Sequence, residues 1–427
     1  MLRAALLEDE RADRAWEAWR AASGELTPEE QQLAPTLYRA LIRRGVQDAV
    51  LDTLGAAARR AWLVYQSNRA VARAAVTRLR ERRIETLVLK GTALIPTYYR
   101  DPTARRSGDV DLLVSEEQLT DAWDLLAADG WRPVANDRRF FNARFSHAVQ
   151  MVDGHGRSLD LHCHVLATNC ERGADAPFWS AAVPFVVDGV ETRTLCATDH
   201  LLHVCVHGQL WSFIPAVRWY ADAMAILRTA VREIDWTRVV ELARARRVTL
   251  QAAAAFDDLV RLLDAPFPDA TRRELRVTPV GVVDRMVFDT GTADLRGRPL
   301  LTLQAHHGRF LRGTVGLTVR NRLRQIPSYL RWWQQEPSGP RIVGRLLFRA
   351  GRSLAIRAHL LPPEAASHRV RTALRTRDDG SVPGPAVPLA GGRSIQRDVA
   401  MTHPGGEAHQ PPRQEAGAVR ENLAGPE

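Results

Sequence analysis

The sequence Leu87-Val88-Leu89-Lys90-Gly91-Thr92 is a short apolar run that ends in a turn. After a polar loop, Asp109-Val110-Asp111-Leu112-Leu113-Val114 has the alternation and β-branching of a strand. Side chains two positions apart on a strand point to the same face, so Asp109 and Asp111 should converge on one side. Two carboxylates this close repel each other unless a cation lies between them, and hard oxygen ligands suit Mg²⁺. We therefore expect a metal site at this strand.

The turn at Gly91 adds a second feature of phosphate chemistry. A glycine where a strand passes into a helix lets backbone N–H groups approach a phosphate, and the new helix directs its positive end there. A third carboxylate from a neighbouring strand would complete a two-metal site. The candidate is Asp160 in Ser158-Leu159-Asp160-Leu161-His162, where it should face the same side as His162. This layout is the one expected for metal-assisted phosphoryl or nucleotidyl transfer.

The same residues also have ordinary structural interpretations. Asp109 and Asp111 are compatible with a solvated strand edge or a helix cap. Gly91 is compatible with a plain turn, and Lys90 with a surface position. Arg105 has two interpretations, a bidentate contact with phosphate or an ion pair with a nearby aspartate. The metal-site interpretation is favoured because the glycine turn and the paired aspartates occur together.

Three histidines later in the chain, His200, His203 and His207, fall on one face of a predicted helix. Their spacing is compatible with a zinc site. No acidic partner at a compatible spacing is evident, so packing histidines, or one histidine that reaches the cleft, are favoured.

The composition is that of an ordinary globular protein. The 427 residues are enough for two or three domains, and 45% hydrophobic and 25% charged residues exclude wholesale disorder. The formal net charge is +10, and Lys90 is the only lysine among 59 basic residues. This bias most simply reflects a GC-rich bacterial genome, and it makes the one lysine conspicuous.

The cysteines and the apolar runs bear on the compartment. The four cysteines form no Cys-x-x-Cys pair, which argues against a zinc ribbon, a thioredoxin-like motif or a disulfide scaffold. Acidic residues follow the short N-terminal apolar run at once, so we expect no signal peptide. No run of about 20 apolar residues occurs, so we expect no spanning helix. The prediction is a cytoplasmic protein.

The pattern along the chain predicts four regions. Residues 1–83 should form a helical N-terminal region, and residues 84–197 a mixed catalytic domain with hairpins at Asp153-Gly154-His155-Gly156 and Asp188-Gly189. Residues 198–362 should form a helical domain, and 363–427 a disordered tail rich in Pro, Gly, Ala and Arg.

The second half of the helical domain is rich in arginine. Between Arg296 and Leu361 the only acidic residue is Glu336, against thirteen arginines. A solvated helical face is the favoured interpretation, and contact with a polyanion is the second. The third is a helix at a membrane surface, suggested by apolar residues among the arginines, namely Trp332, Trp333, Leu346, Leu347 and Phe348. No recognised nucleic-acid module occurs.

These motifs together resemble a known family. L-K-G-x-A-L, a tyrosine, R-x-x-x-D-x-D-L-L-V, a helix ending in D-G-W, and a later D-L-H are similar to the uncharacterised nucleotidyltransferase family of the polymerase-beta-like superfamily. A later histidine and W-x-x-D also match, and the resemblance covers roughly residues 50–330. The matching positions are Lys90 to Leu94, Tyr98 or Tyr99, Arg105, Asp109, Asp111, Asp129 to Trp131, Asp160 to His162, His207, Trp219 and Asp222.

The resemblance implies an α+β fold, with a small mixed nucleotidyltransferase-type sheet flanked by helices and helical regions at both ends. It implies that Asp109, Asp111 and Asp160 bind two Mg²⁺ ions during catalysis. An NTP donor would lie along Lys90, Gly91 and Thr92, with Arg105 nearby. His162 and Asp222 are possible acceptor-side residues, although a structural role is favoured for Asp222.

The chain departs from the wider superfamily at the turn. Many members have Gly-Ser or Gly-Gly there, whereas this chain has Lys90-Gly91-Thr92. Thr92 would replace the usual serine hydroxyl, and Lys90 would add a positive charge at the triphosphate.

Two functions from different classes follow. The favoured one is a Mg²⁺-dependent enzyme that transfers a nucleoside monophosphate from an NTP to a hydroxyl or phosphate acceptor. Genes of such proteins often lie beside polysaccharide and natural-product genes, which suggests a biosynthetic role. The alternative is a noncatalytic nucleotide- or partner-binding protein that associates with an anionic or membrane surface.

Overall fold

The structure of the chain is a computed structural model. It describes residues 1–22, 26–134, 138–167, 169–210, 216–295, 298–336, 338–342 and 344. The predicted tail at 363–427 and the apolar residues Leu346, Leu347 and Phe348 lie outside the described residues.

The first region is helical, as the sequence predicts. Its helices are α1 (Leu2–Leu6), α2 (Glu10–Ala22), α3 (Ala34–Arg43) and α4 (Val50–Glu81). A short 3₁₀ turn, Glu30–Gln32, precedes α3. It begins with a capping box, because the Thr27 N–H donates to Glu30 Oε2 at 3.0 Å and the Glu30 N–H donates to Thr27 Oγ1 at 3.3 Å.

Seven strands of the described residues form one mixed sheet, in the order β3-β4-β5-β2-β1-β7-β6. The pairs β2–β5 and β1–β7 are parallel, and the others are antiparallel. The strands are β1 (Leu87–Leu89), β2 (Val110–Leu113), β3 (Arg132–Pro133), β4 (Ala148–Val152), β5 (Ser158–His162), β6 (Val183–Val187) and β7 (Val190–Thr194).

Both predicted hairpins are present. Asp188 and Gly189 have φ values of 46° and 84° and join β6 to β7, which fits a turn with two left-handed residues. Between β4 and β5 the Asp153 carboxylate accepts from the backbone N–H groups of His155 and Arg157, each at 2.9 Å. The turn residues therefore help to set the register of the β4–β5 and β6–β7 pairs.

Helices connect and follow the strands. α5 (Lys90–Leu94) continues into a π-helical turn, Ile95–Tyr99. α6 (Leu119–Ala128) follows a 3₁₀ turn that Ser115 caps by accepting from the Gln118 N–H. The later helices are α7 (Ala176–Ala181), α8 (Ala197–Gly208), α9 (Arg218–Ala230), α10 (Trp236–Ala245), α11 (Thr249–Leu263), α12 (Asp269–Val277), α13 (Val282–Gly291), α14 (Pro299–Gly313) and α15 (Val319–Gln334).

The two faces of the sheet meet different helices. Val88, Leu112 and Leu161 belong to a buried core with residues of α4 and α6. Leu89 and Leu113 belong to a second core with residues of α8, α9 and α11. Because side chains alternate along a strand, the residues between those of the first core face the helical half. The architecture is α+β, with one mixed sheet flanked by helices, which confirms the predicted fold class.

Helices α14 and α15 pack against the segment that leads into β4. Phe145, Tyr329 and Trp332 form a small buried cluster, and Trp332 Nε1 donates to Ser146 Oγ at 2.6 Å. Trp333 stacks on His306 with 3.9 Å between ring centroids. Both tryptophans that suggested a membrane helix therefore have partners within the protein. Within the described residues, no helix is long and apolar enough to cross a membrane.

Candidate functional site

Two carboxylates and one imidazole converge where β2 and β5 run in parallel. Asp111 pairs directly with Asp160 in the register of these strands, so both side chains leave the same face of the sheet. His162 follows two positions later on β5 and faces the same way. One potential ligand atom from each of the three lies within 4.8 Å of the others. His162 Nε2 lies 2.9 Å from Asp111 Oδ1.

Lys90 reaches the same carboxylate from the end of β1. Leu89 pairs with Asp111 across the antiparallel β1–β2 ladder, so the next residue emerges beside it. Lys90 has a left-handed φ of 44°, and its Nζ donates to Asp111 Oδ1 at 2.6 Å. The Asp111 side chain is 1% exposed and that of Lys90 is 19% exposed. The lone lysine of the chain is thus paired inside the candidate site.

The electrostatics of the cluster are uneven. Burial alone would raise the pKa of Asp111, but Lys90 and His162 outweigh it and hold this pKa well below its ordinary value. Burial, together with the charges of Asp109 and Asp111, raises the pKa of Asp160 to about 8. Burial and Asp111 also raise the pKa of Asp109. Lys90 compensates only part of the negative charge that these three groups would carry.

A divalent cation fits this donor set. Asp160 Oδ1 is buried and has no hydrogen-bond partner, and buried carboxylate oxygens normally have one. It lies in the group of ligand atoms with Asp111 and His162. The sequence predicted Asp109, Asp111 and Asp160 as the ligands. Within the part of the chain that the structure describes, the one such group of three is Asp111, Asp160 and His162, and it does not include Asp109. Metal binding by Asp109, Asp111 and Asp160 stays a prediction.

Gly91 is required by close packing beneath the turn. A β-carbon there would lie 2.5 Å from Ser107 Oγ and 2.6 Å from Arg105 Nη1. The left-handed residue of the turn is Lys90, not Gly91. Thr92 is buried, and its hydroxyl has no hydrogen-bond partner. The structure thus supplies a packing reason for the glycine, and the predicted phosphate contacts of Gly91 and Thr92 stay predictions.

Arg105 and Asp222 bind each other. Arg105 donates from Nε to Asp222 Oδ1 at 2.6 Å and from Nη2 to Oδ2 at 2.9 Å, and both side chains are buried. Tyr99 also donates to Asp222 Oδ1, at 2.7 Å. Of the two interpretations of Arg105, the structure shows the ion pair. It also shows a structural contact for Asp222 in place of a free acceptor-side carboxylate.

Asn68 of α4 is a site residue that the sequence analysis missed. Its Nδ2 donates to Ser107 Oγ and to the Asp109 backbone oxygen, both at 3.1 Å. It therefore holds the loop that leads into β2. An asparagine within a long alanine- and arginine-rich helix carries no spacing signal that points to this role.

Four histidines and Lys90 line a small cavity beside the carboxylates. The cavity has a volume of about 10 Å³, about the space of one water, and its histidines are His147, His162, His203 and His207. Burial lowers the pKa of His207 to about 3 and holds those of His147 and His203 well below their ordinary value. These three imidazoles are therefore neutral at pH 7.

The three histidines predicted on one helix face do not act together. His203 and His207 line the cavity, whereas His200 bonds Tyr98 OH at 3.1 Å and Thr194 Oγ1 at 3.3 Å. Among the described residues, none of the three belongs to a metal-type cluster. His147 was missed because its position before β4 gives no recognisable motif.

The chain is similar to known proteins through one family model and through solved structures. The chain matches the model of a family described as uncharacterised nucleotidyltransferase over residues 27–263. It resembles the solved structure of the antibiotic-resistance factor ANT(2'')-Ia at 14% identity and a TM-score of 0.31, over 45% of this chain and 97% of that chain. A nucleotidyltransferase-like antigenic protein from Paracoccidioides brasiliensis shows 13% identity and a TM-score of 0.30, over 51% and 94%. No curated protein matches the chain. TM-scores this low carry no argument about function, whereas the family match does.

Proposed function

This chain belongs to the uncharacterised nucleotidyltransferase family, and from that premise we propose that it is a Mg²⁺-dependent enzyme with a hydroxyl or phosphate acceptor. The donor is an NTP. The acceptor oxygen forms a bond to the α-phosphorus, the bond from that phosphorus to the β-bridging oxygen breaks, and pyrophosphate leaves. The acceptor proton passes to solvent.

One observation carries the proposal. Asp111 and Asp160 are held opposite each other by the β2–β5 register, and Asp160 has a buried oxygen without a partner. Leaving such an oxygen unpaired is costly, and a bound cation that this oxygen contacts would satisfy it, which supports the proposal.

Each residue of the site has a distinct role in the proposal. Asp111 and Asp160 hold the metal with His162, and Asp109 adds negative charge beside them. When bound, Mg²⁺ stabilises negative charge on the reacting oxygens. The turn at Gly91 and Thr92 receives the triphosphate next to Lys90. Arg105, which is paired with Asp222, packs against the Gly91 backbone.

The acceptor approaches from the β5 side. The triphosphate occupies the turn after β1, so the acceptor oxygen enters past His162 and the histidine-lined cavity. His147, His203 and His207 are neutral because burial lowers each pKa. Neutral imidazoles can donate or accept hydrogen bonds, which suits a hydroxyl on a small biosynthetic intermediate such as a sugar.

Thermal denaturation with each of the four NTPs, with and without Mg²⁺, tests the proposal. Binding to the native state raises Tm by mass action. We expect a Mg²⁺-dependent rise with at least one NTP that is lost in Asp111→Asn and Asp160→Asn. That NTP should then release pyrophosphate with a suitable hydroxyl compound.

The matched control is Asp121→Asn, the same substitution at an exposed position of α6, and it should keep the full rise. The proposal is wrong if the rise persists in Asp111→Asn and Asp160→Asn. It is also wrong if a folded wild-type sample shows no rise with any NTP at millimolar concentration.

A further inference from the structure

We infer that Lys90 is a built-in cation that competes with the divalent metal for Asp111 and yields its place when the NTP arrives. The inference rests on the metal site of the proposed function and adds an order to its assembly. Free metal should bind weakly, and metal with NTP should bind strongly.

The amino-acid usage of the chain is the first argument. Lys90 is the single lysine of 427 residues, and all the remaining basic positions, histidines aside, are arginines. Lys90 is thus the one basic position at which this bias does not hold. Lysine carries a compact point charge with rotatable donors on a flexible stem, whereas arginine carries a wide planar fork. The lysine therefore places a small, movable cation at this position.

The geometry is the second argument. Lys90 Nζ lies 2.6 Å from Asp111 Oδ1, and His162 Nε2 lies 2.9 Å from the same oxygen. A metal bound through this oxygen would lie close to the ammonium, and two cations this close in a buried site repel each other. Lys90 therefore opposes the use of this oxygen as a ligand beside Asp160 and His162, and metal binding is favoured when the ammonium moves away.

The surroundings indicate where Lys90 goes. It is the first residue of α5, directly before Gly91 and Thr92, where the proposed function places the triphosphate. Its side chain is partly exposed, whereas Asp111 is almost wholly buried. The ammonium can therefore exchange one anionic partner for another by turning about its own side-chain bonds. A phosphate oxygen at the turn gives Lys90 a new partner, and metal binding then no longer leaves a cation unpaired.

Coupling of this kind is reciprocal. If NTP strengthens metal binding because it draws Lys90 from Asp111, metal must strengthen NTP binding by the same factor. Removal of the lysine charge should uncouple the two ligands. It should tighten the binding of free metal and reduce the increase in metal affinity that NTP confers.

The single lysine allows a direct test on the unmodified chain. Protein labelled with ¹⁵N and ¹³C only in lysine gives one side-chain ammonium signal, that of Lys90 Nζ. We expect a small change with Mg²⁺ alone and a large, saturable change with Mg²⁺ and a non-hydrolysable NTP. A Lys90 signal that stays unchanged while the metal and nucleotide bind would overturn the inference.

The second test measures free Mn²⁺ binding by electron paramagnetic resonance, without nucleotide. Lys90→Met should bind Mn²⁺ more tightly than wild type by about tenfold or more, given the strength of contacts between buried charges. Lys90→Arg keeps the charge and should bind no more tightly than wild type. Arg80→Met removes one charge from an exposed ion pair with Glu191 and controls for net charge.

The outcomes separate this inference from the proposed function. If Lys90→Met and wild type bind Mn²⁺ equally, the inference fails and the metal site stands. If neither binds Mn²⁺, with or without NTP, the metal site of the proposed function fails as well. A purely structural role for Lys90 would lower Tm in Lys90→Met, but it would not tighten metal binding.

Discussion

At the scale of single residues, the lack of a side chain at Gly91 lets Ser107 and Arg105 pack directly against the turn after β1. Gly91→Ala would place its β-carbon 2.5 Å from Ser107 Oγ and 2.6 Å from Arg105 Nη1. Arg105 is held by Asp222 and cannot withdraw freely. We expect a loss of about 1–3 kcal/mol in the free energy of unfolding, as in other overpacked sites. Urea denaturation measures it.

Gly154→Ala is the matched control for this prediction. A β-carbon at Gly154, in the β4–β5 hairpin, would meet nothing within 4 Å. We expect its free energy of unfolding to stay within about 0.5 kcal/mol of wild type, as for ordinary surface changes. Equal losses in the two variants would show that close packing is not the reason for the glycine at position 91.

The buried pair of Arg105 and Asp222 gives a second residue-scale prediction. Asp222→Ala leaves the Arg105 guanidinium buried without its carboxylate, and also removes the acceptor of Tyr99. Breaking a buried pair in this way costs about 3–5 kcal/mol. Urea denaturation should show a loss of this order.

An exposed pair provides the comparison. Arg80 and Glu191 form an ion pair with side chains 57% and 76% exposed, and such pairs contribute about 0–1 kcal/mol. Glu191→Gln should therefore change the free energy of unfolding little. A loss in Asp222→Ala as small as that in Glu191→Gln would contradict the structural role of the Arg105 pair.

The sequence predicted part of this site for a physical reason. Strand alternation is a local rule, so it placed Asp111 on one face and Asp160 beside His162 without knowledge of the sheet. The contact of Arg105 with Asp222 joins residues 117 positions apart, and no local pattern encodes it. The pairing of Lys90 with Asp111 depends on the β1–β2 register, which the sequence alone left open.

At the scale of elements, α8 places the buried His200 between the sheet and the turn that ends at Tyr99. Thr194 donates its hydroxyl to the Val88 oxygen at 2.6 Å, so it accepts from His200 Nε2. Nδ1 of His200 then accepts from Tyr98 OH. Burial lowers the pKa of His200 to about 3, although the charge of Asp222 acts in the opposite direction. The imidazole is neutral in the folded protein.

The sign of the pH dependence follows from this lowered pKa. In the unfolded chain His200 binds a proton near its ordinary pKa of about 6.5, whereas in the folded protein it does so only near 3. Between these values the unfolded state holds more protons, so stability falls as the pH falls. His200 should contribute roughly 1.4 kcal/mol per pH unit in that window.

Urea denaturation from pH 7 to 4 measures this slope. His200→Gln keeps hydrogen-bonding groups at the site but cannot gain a proton, so its stability should fall less steeply than that of wild type. His155→Gln, at an exposed position of the β4–β5 hairpin, should keep the wild-type slope. Parallel slopes for wild type and His200→Gln would show that His200 is not held neutral by burial.

The elements differ in how far the sequence determines them. Asp188-Gly189 and the Asp153 turn predicted their hairpins correctly because turn residues act on their own backbone. The strand order across β5, β2, β1 and β7 was not predicted. Parallel pairing of β2 with β5 joins segments about 50 residues apart, and only tertiary packing selects such a partner.

At the scale of the whole molecule, the arginine-rich helices are part of the folded structure. Trp332 of α15 lies in the cluster with Phe145 and Tyr329, and Arg144 Nη1 donates to the Gly313 oxygen at 2.9 Å. Much of the charge of α15 is nevertheless solvated, because Arg320, Arg324 and Arg331 are exposed. The favoured interpretation of this segment, a solvated helical face, describes these three arginines.

Gly313 at the end of α14 should control how these helices attach to the sheet. A β-carbon there would lie 2.6 Å from the Phe145 ring and 2.7 Å from the backbone oxygen of Arg144. Because a backbone atom cannot move aside as a side chain can, Gly313→Ala should displace α14 and α15 at a cost of about 1–3 kcal/mol. Limited trypsin digestion reports the displacement, since Arg320 and Arg324 are cleavage sites on α15.

Gly339→Ala, where a β-carbon would meet nothing within 4 Å, should be cut at the wild-type rate, whereas Gly313→Ala should be cut faster within α15. If both variants are cut at the wild-type rate, the attachment does not depend on the contact between Gly313 and Arg144, and the aromatic cluster around Phe145 must hold the two helices by itself.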